Sequence, residues 1–400
     1  MARKIKHVER ISVRGFKSFR ELDLELRGIN IFVGANGAGK SNLIDLFRLL
    51  RDVVEQRLQS AVELAGGADA LLHLGPKETT QIGVKIMFDV NSYEFTLVPT
   101  TDGRLIFASE RAVYHNPDGP EVPLKLGAGH REAKLKDREN SEYKARYCYG
   151  AISRWVVYHF HDTSPTAWVR RKAAINDNEF LRHDAANLAA FLLPLQTSAL
   201  SRKRRNKTVD QSAYERIRGV VRLAAPFFDD FKLRPTATNP ELTQLEWTQI
   251  GSDRAFRPSQ LSDGTLRFIC LAAALLQPHP PDTLIFDEPE LGLHPYALTL
   301  LASMIKRAAR IGRQVIVCTQ SPTLLNEFEP DDVIVIDRRD GQSVFRRQSA
   351  GELSEWLEDY NLGEIWQKNI MGGRPHGERG GGPRMTGGKD RIHPEEGGRP

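Results

Sequence analysis

Four hundred residues, 40% of them hydrophobic and 27% charged, are enough for two cores or for one core with a sizeable insertion, and they exclude a disordered protein or a small disulfide scaffold. The net charge of +5 is local: residues 201–207 carry five positive charges and no negative ones, the segment from Gly372 onward adds +2, and the remainder is slightly acidic. A broad basic face is therefore not expected. Cys148, Cys270 and Cys318 lie far apart without a CxxC pair, which excludes zinc-site spacing and a bridge framework and predicts three buried thiols in a reducing cytosol. The longest apolar run, residues 268–276, is about half of a bilayer span, and the first residues lack a signal peptide's apolar stretch. A cytoplasmic protein with no membrane attachment is expected.

In chain order, apolar and polar residues alternate through Val8-Glu-Arg-Ile-Ser-Val13 and Leu22-Asp-Leu-Glu-Leu26, and a short apolar run follows at Ile29-Asn-Ile-Phe-Val33. Three strands are predicted. A glycine-rich turn leads into a segment starting at Leu43 whose apolar residues recur at helical spacing to about Leu58. Further alternation between Gln81 and Val113, interrupted by Asp89-Val-Asn91 and Asp102-Gly103, predicts an antiparallel layer. Residues 130–146 mix charges with few apolar side chains and read as a mobile loop or frayed helix. Helical patterns at residues 187–193 and 214–225 flank the basic run and predict a short arm, without the heptads of a long coiled coil. The last third alternates helix and strand, the mark of a parallel sheet covered by helices. The final 29 residues hold ten Gly and four Pro and are expected to be disordered. The expected division is an N-terminal lobe at 1–160, a helical insertion at 161–255, a C-terminal lobe at 256–371 and a tail at 372–400.

Gly34-Ala-Asn-Gly-Ala-Gly-Lys-Ser41 fits G-x-x-x-x-G-K-[ST] between a predicted strand and helix, the context a phosphate-binding loop requires. Glycines let successive N–H groups turn inward around phosphate, and the helix N-terminus adds its positive dipole end. Asn36, Gly37, Ala38, Gly39 and Asn42 complete the candidate nucleotide contacts. Lys40 is expected on the β- and γ-phosphates and Ser41 on Mg²⁺. Leu284-Ile-Phe-Asp-Glu288 is an apolar strand ending in two acids. At a strand's C-terminal edge Asp287 reaches the same Mg²⁺, and Glu288 polarises the attacking water. No Asn-Lys-x-Asp guanine-reading motif is present, which favours ATP over GTP. Upstream, Leu261-Ser-Asp-Gly-Thr265 precedes an apolar helix, so Ser262 reads as its cap, and its hydroxyl with the Gly264 N–H makes an anion site.

The series Gly15-Phe-Lys-Ser-Phe19, the phosphate loop, Leu261-Ser-Asp-Gly-Thr265 and Phe286-Asp-Glu-Pro-Glu-Leu-Gly-Leu-His-Pro295 resembles the ABC-type ATPases of the SMC, RecF and OLD group, most closely the compact bacterial members without a nuclease domain. Tyr158-His-Phe-His-Asp-Thr-Ser164, Asp177-Asn178, Asn187-Leu-Ala-Ala-Phe191 and Asn361-Leu-Gly-Glu-Ile-Trp366 extend the similarity to about residues 5–373. The resemblance implies an α/β P-loop NTPase of the ABC-ATPase head type, with an antiparallel β layer and a short helical arm. It implies a homodimer in which two ATP molecules are each bound by the phosphate loop and Asp-Glu strand of one subunit and the Ser262 segment of the other. Work in DNA repair or anti-phage defence is the implied role, with DNA or RNA bound. The alternative is an ATP-gated scaffold for a separate toxin or nuclease effector.

Two departures from the broader pattern stand out. Asp263 and Thr265 replace the Gly and Gln usual in transporter-type heads, and a negative charge at Asp263 is expected to weaken binding in trans. Gln320 occupies the place of the switch histidine, where it hydrogen-bonds but takes no proton, so slow turnover is expected. By order along the chain, the ATP-site lid falls near His159 and His161, for which a metal site and plain packing are the other readings. The basic run reads either as a phosphate-backbone contact or as a solvated loop, with no interleaved aromatic to stack on single strands.

Overall fold

Strands buried on both faces belong at the centre of a layered sheet. In the computed structural model, which describes residues 7–200 and 209–373, five such strands run parallel in the order Val333–Arg339, Ile29–Val33, Gln314–Thr319, Thr283–Asp287 and Trp155–Tyr158. Gln342–Arg347 adds an antiparallel edge beside Val333–Arg339. Because side chains alternate along a strand, the sheet separates two cores. Val33, Phe286, Val315 and Val317 face one, while Phe32, Ile285, Ile316 and Cys318 face the other.

The second core is closed by the helix Lys40–Val54 and by a six-stranded antiparallel sheet in the order Phe19–Glu25, Arg10–Phe16, Ile82–Phe88, Asn91–Pro99, Leu105–Tyr114 and Val122–Gly127. Both the expected antiparallel layer and the three opening strands are present. The hairpin turn between the first two strands is the Gly15-Phe-Lys-Ser-Phe19 motif. Gly15 has φ +75°, and a Cβ there would lie 2.3 Å from the Gln81 carbonyl oxygen, so only glycine fits.

The first core is covered by Asp263–Leu276 and Pro295–Arg310 and by the insertion's two helices, Leu188–Leu200 and Val209–Ala224. Leu188, Leu192, Tyr214 and Ile217 are buried in the same core as the parallel sheet, so both helices pack against that core. It also carries two small three-stranded sheets, one built from Phe228–Phe231, Trp247–Gln249 and Ser252–Phe256 and the other from Ala173–Ala174, Pro235–Thr236 and Asn239–Thr243. The basic run lies outside the described residues, as does the tail beyond residue 373.

Residues 130–146 differ from the mobile loop or frayed helix expected of them, being held in place and running into the helix Tyr143–Ile152. Ala133 and Leu135 are fully buried, and the buried Glu110 carboxylate accepts hydrogen bonds from the backbone N–H groups of Lys134 (2.9 Å) and Leu135 (3.2 Å), the Tyr93 hydroxyl (2.8 Å) and His130 (2.7 Å). This carboxylate, together with Glu132, which accepts from the Leu58 and Gln59 N–H groups, and the Lys136–Glu55 ion pair, pins a charged segment that has few apolar anchors of its own. All three cysteines are buried and unbridged, as expected. Among the described residues no helix is long and apolar enough to cross a membrane.

Candidate functional site

Parallel strands gather their C-terminal ends along one edge, and the chain places its polar motifs there. Val33 opens into the phosphate loop, Asp287 and Glu288 end the next strand but one, Gln320 follows the strand between them, and His159 and His161 follow Tyr158. Register confirms the alignment: Asp287 pairs with Cys318, and Thr319 with Val33.

The loop is held open from behind. Gly37 and Gly39 have φ of +79° and +124°, and a Cβ on Gly37 would meet nothing within 4 Å. A Cβ on Gly39 would sit 2.2 Å from Ser343 Oγ. That hydroxyl lies 2.5 Å from the Ala38 carbonyl oxygen and 2.7 Å from Ser18 Oγ, while the Asn42 amide donates to Ser18 Oγ at 2.7 Å. Lys17 reaches Asp45 on the loop's helix at 2.6 Å. The Gly15-Phe-Lys-Ser-Phe19 turn is therefore the brace of the phosphate loop, and Asn42 serves that brace. Lys40 is buried, its ammonium donating to the carbonyl oxygens of Gly34 (2.7 Å) and Ala35 (3.1 Å). Burial holds its pKa below the usual lysine range, opposed by Cys318 and by the nearby acids Glu288, Asp287 and Glu290. An open glycine cradle above a buried cation fits the phosphates of a nucleotide. Ser41, exposed on the first turn, and Asp287 supply the hard oxygen donors that Mg²⁺ prefers.

Burial raises the Asp287 pKa. Glu288 has φ +41°, a left-handed backbone that a non-glycine residue holds at a cost, and its N–H donates to the Cys318 carbonyl at 2.8 Å. Its carboxylate accepts a hydrogen bond from the Gln320 side-chain amide. The glutamine at the switch position is thus directly engaged with the candidate base. Beneath both, Glu290 accepts from Thr319 Oγ1 at 2.6 Å and the Gln320 N–H at 2.9 Å, and burial raises its pKa.

Ser262 is exposed and caps Asp263–Leu276, its hydroxyl accepting from the Thr265 N–H at 3.2 Å. Asp263 does not present an uncompensated charge. The buried Arg170 guanidinium meets it at 2.7 Å and also donates to the carbonyls of Thr163, Pro258 and Leu261, which changes the expectation that this acid repels phosphate. Gly264 has a packing reason as well, since a Cβ would lie 2.3 Å from the Gly292 carbonyl oxygen. From the same helix Arg267 donates to the carbonyls of Phe160 (2.9 Å), His161 (3.0 Å) and Leu291, joining the signature segment to the histidines and to the loop after the acids. His159 and His161 lie with ring centroids 4.0 Å apart beside Asp287, and burial lowers the His159 pKa to about 4, with His161 adding to the effect.

A model of the family described as "AAA domain, putative AbiEii toxin, Type IV TA system" matches residues 29–326, from the strand before the phosphate loop to beyond Gln320. The chain belongs to this family. Within it, this AAA-family chain is similar to the Old nuclease of Escherichia phage P2, at 22% identity over 390 aligned positions, covering 86% of this chain and 61% of that protein. It is 31% identical over 84 residues to the DNA replication and repair protein RecF of Renibacterium salmoninarum, 20% of this chain and 21% of that one. The chain thus spans less than two thirds of the length of these curated relatives. A solved SMC head bound to the C-winged helix domain of ScpA superposes with TM-score 0.53 at 18% identity, covering 87% of this chain and 99% of that one. The SMC head with an extended coiled coil derived from Pyrococcus furiosus gives 0.54 at 18%, covering 88% and 99%. The architecture is the ABC-type P-loop head, and the chain is an SMC-, RecF- and OLD-like ABC ATPase.

In this AAA-family head, sequence reasoning missed Arg170, Arg267, Glu290 and the pair Ser18 and Ser343. Each acts on residues distant in the chain. The local signal for Ser18 was its place in the Gly15-Phe-Lys-Ser-Phe19 turn, whose partner was not legible.

Proposed function

We propose that the chain binds ATP with Mg²⁺ at this strand edge, dimerises around two such nucleotides and hydrolyses them slowly. The observation that carries the reading is the convergence of Lys40, Asp287, Glu288 and Gln320 at the C-terminal ends of three adjacent parallel strands. The backbone of Asn36, Gly37, Ala38 and Gly39 cradles the phosphates, and Lys40 exchanges its carbonyl partners for phosphate oxygens. Ser41 and Asp287 would hold Mg²⁺, which when bound would supply charge neutralisation of the phosphates. Glu288 orients and deprotonates water, with Gln320 positioning its carboxylate. Ser262 and Gly264 act in trans on the γ-phosphate of a second copy, for which the exposure of Ser262 leaves it free. The lobe boundaries at 160 and 255 follow the same reading, since among the described residues the insertion supplies none of the parallel strands. Lys40→Ala is expected to abolish ATP binding, whereas Glu288→Gln retains ATP and loses about 100-fold or more in hydrolysis. Equal turnover in Glu288→Gln and wild type rejects the assigned base.

The biological setting we infer is DNA repair or anti-phage defence, supported by the similarity to RecF and to a phage nuclease. The family description, which names a toxin and a toxin–antitoxin system, supports a second reading as an ATP-gated scaffold for an effector protein. Salt dependence separates the two. If the five charges of residues 201–207 meet duplex phosphates, binding falls with a log-log slope of about −4.5. No DNA binding together with a stable partner co-purified from the native operon favours the scaffold.

A further inference from the structure

The segment after Trp155–Tyr158 brings two imidazoles to the acid expected to hold Mg²⁺. His159, His161 and Asp287 each offer one ligand atom, and these atoms lie within 4.8 Å of one another. His159 Nδ1 is buried, has no hydrogen-bond partner and stands 4.0 Å from Asp287 Oδ2. A buried ring nitrogen that faces a carboxylate without a hydrogen bond is satisfied when one cation is shared by both. His161 donates from Nε2 to the Asp287 main-chain carbonyl at 2.9 Å, so its Nδ1 carries the lone pair. A ligating histidine is commonly fixed this way, by a carbonyl on its other nitrogen. Arg267 locks the backbone around His161 by donating to the carbonyls of Phe160, between the two histidines, and of His161 itself. The ligand positions are thus held by the fold. Ligands at about 2.1 Å from one ion stand roughly 3.0–3.5 Å apart, so small side-chain rotations close the site.

Oxygen-only donors suit Mg²⁺, whereas imidazole nitrogen favours borderline divalent ions of the Mn²⁺, Co²⁺ and Zn²⁺ class. We propose that His159 and His161 join Asp287 as ligands of a divalent cation at the nucleotide edge, giving this head a preference for that class over Mg²⁺. The proposal rests on reading Asp287 as a cation ligand.

Pulsed electron paramagnetic resonance on the tag-free full chain tests it, with Mn²⁺ alone and with Mn²⁺ plus a non-hydrolysable ATP analogue. Imidazole nitrogen coupling to Mn²⁺ is expected in the wild type and is lost or halved in His159→Gln or His161→Gln, with Mn²⁺ affinity falling about tenfold or more. Binding of a fluorescent ATP analogue without Mn²⁺ should remain in both variants. Absence of nitrogen coupling in the wild type, or coupling unchanged in both variants, overturns the proposal. Failure of the wild type to bind any ATP analogue would instead overturn the nucleotide reading, while the Mn²⁺-alone arm still decides the histidine site.

Discussion

Arg170 shows how a single buried side chain alters the reading of a motif. Its guanidinium satisfies three main-chain carbonyls and the Asp263 carboxylate, so the signature segment is anchored at both its start, Leu261, and its acidic third position. Removing it leaves buried carbonyls without donors and an acid near the place where phosphate would bind in trans. Arg170→Ala is expected to weaken ATP-dependent dimerisation by about 1–2 kcal/mol, and Asp263→Asn in the same chain should restore part of that loss. A double-mutant cycle read by dimer dissociation constants checks this; additive effects would mean that the pair does not couple. Residues such as Lys40, Ser41, Asp287 and Ser262 were legible from the sequence because their chemistry depends on neighbours a few positions away. Arg170 was not, because all its partners but the Thr163 carbonyl lie about 90 residues further on and its own surroundings carry no spacing signal. Gln320 follows its strand as the apolar run indicates, but its bond to Glu288 depends on register across two strands.

At the scale of elements, periodicity identified the strands and helices that bury one continuous face. Segments held by polar contacts escaped it. Residues 130–146 look dispensable by composition, yet they are fastened to the antiparallel sheet through Glu110, which receives four donors. Glu110→Ala should destabilise the protein by on the order of 3 kcal/mol, since it strands buried N–H and O–H groups. Limited proteolysis should then cut first within residues 130–146, whereas cleavage unchanged in site and rate would show that the carboxylate is not the anchor. The small sheets of the insertion were illegible for a related reason. Strands of two to five residues, such as Ala173–Ala174 and Asn239–Thr243, are too short to show alternation and exist through pairing across about 70 residues.

For the molecule as a whole, the charge of +5 adds little to the description of the ATPase body, because residues 201–207 and the C-terminal segment together exceed it. What organises the body is the parallel sheet, which puts the phosphate loop, the acids and Gln320 on one edge while the signature serine stays exposed at its own helix N-terminus. A serine placed so would reach a nucleotide only when a second copy closes over it, which makes dimerisation on ATP the proposal that decides its role. Sizing chromatography with light scattering on Glu288→Gln, with and without ATP, tests it most directly. The account predicts a monomer without ATP, a dimer of about twice the mass with it, and a monomer under both conditions when Ser262→Arg is added. An unchanged mass on adding ATP to a protein shown to bind it would contradict the account.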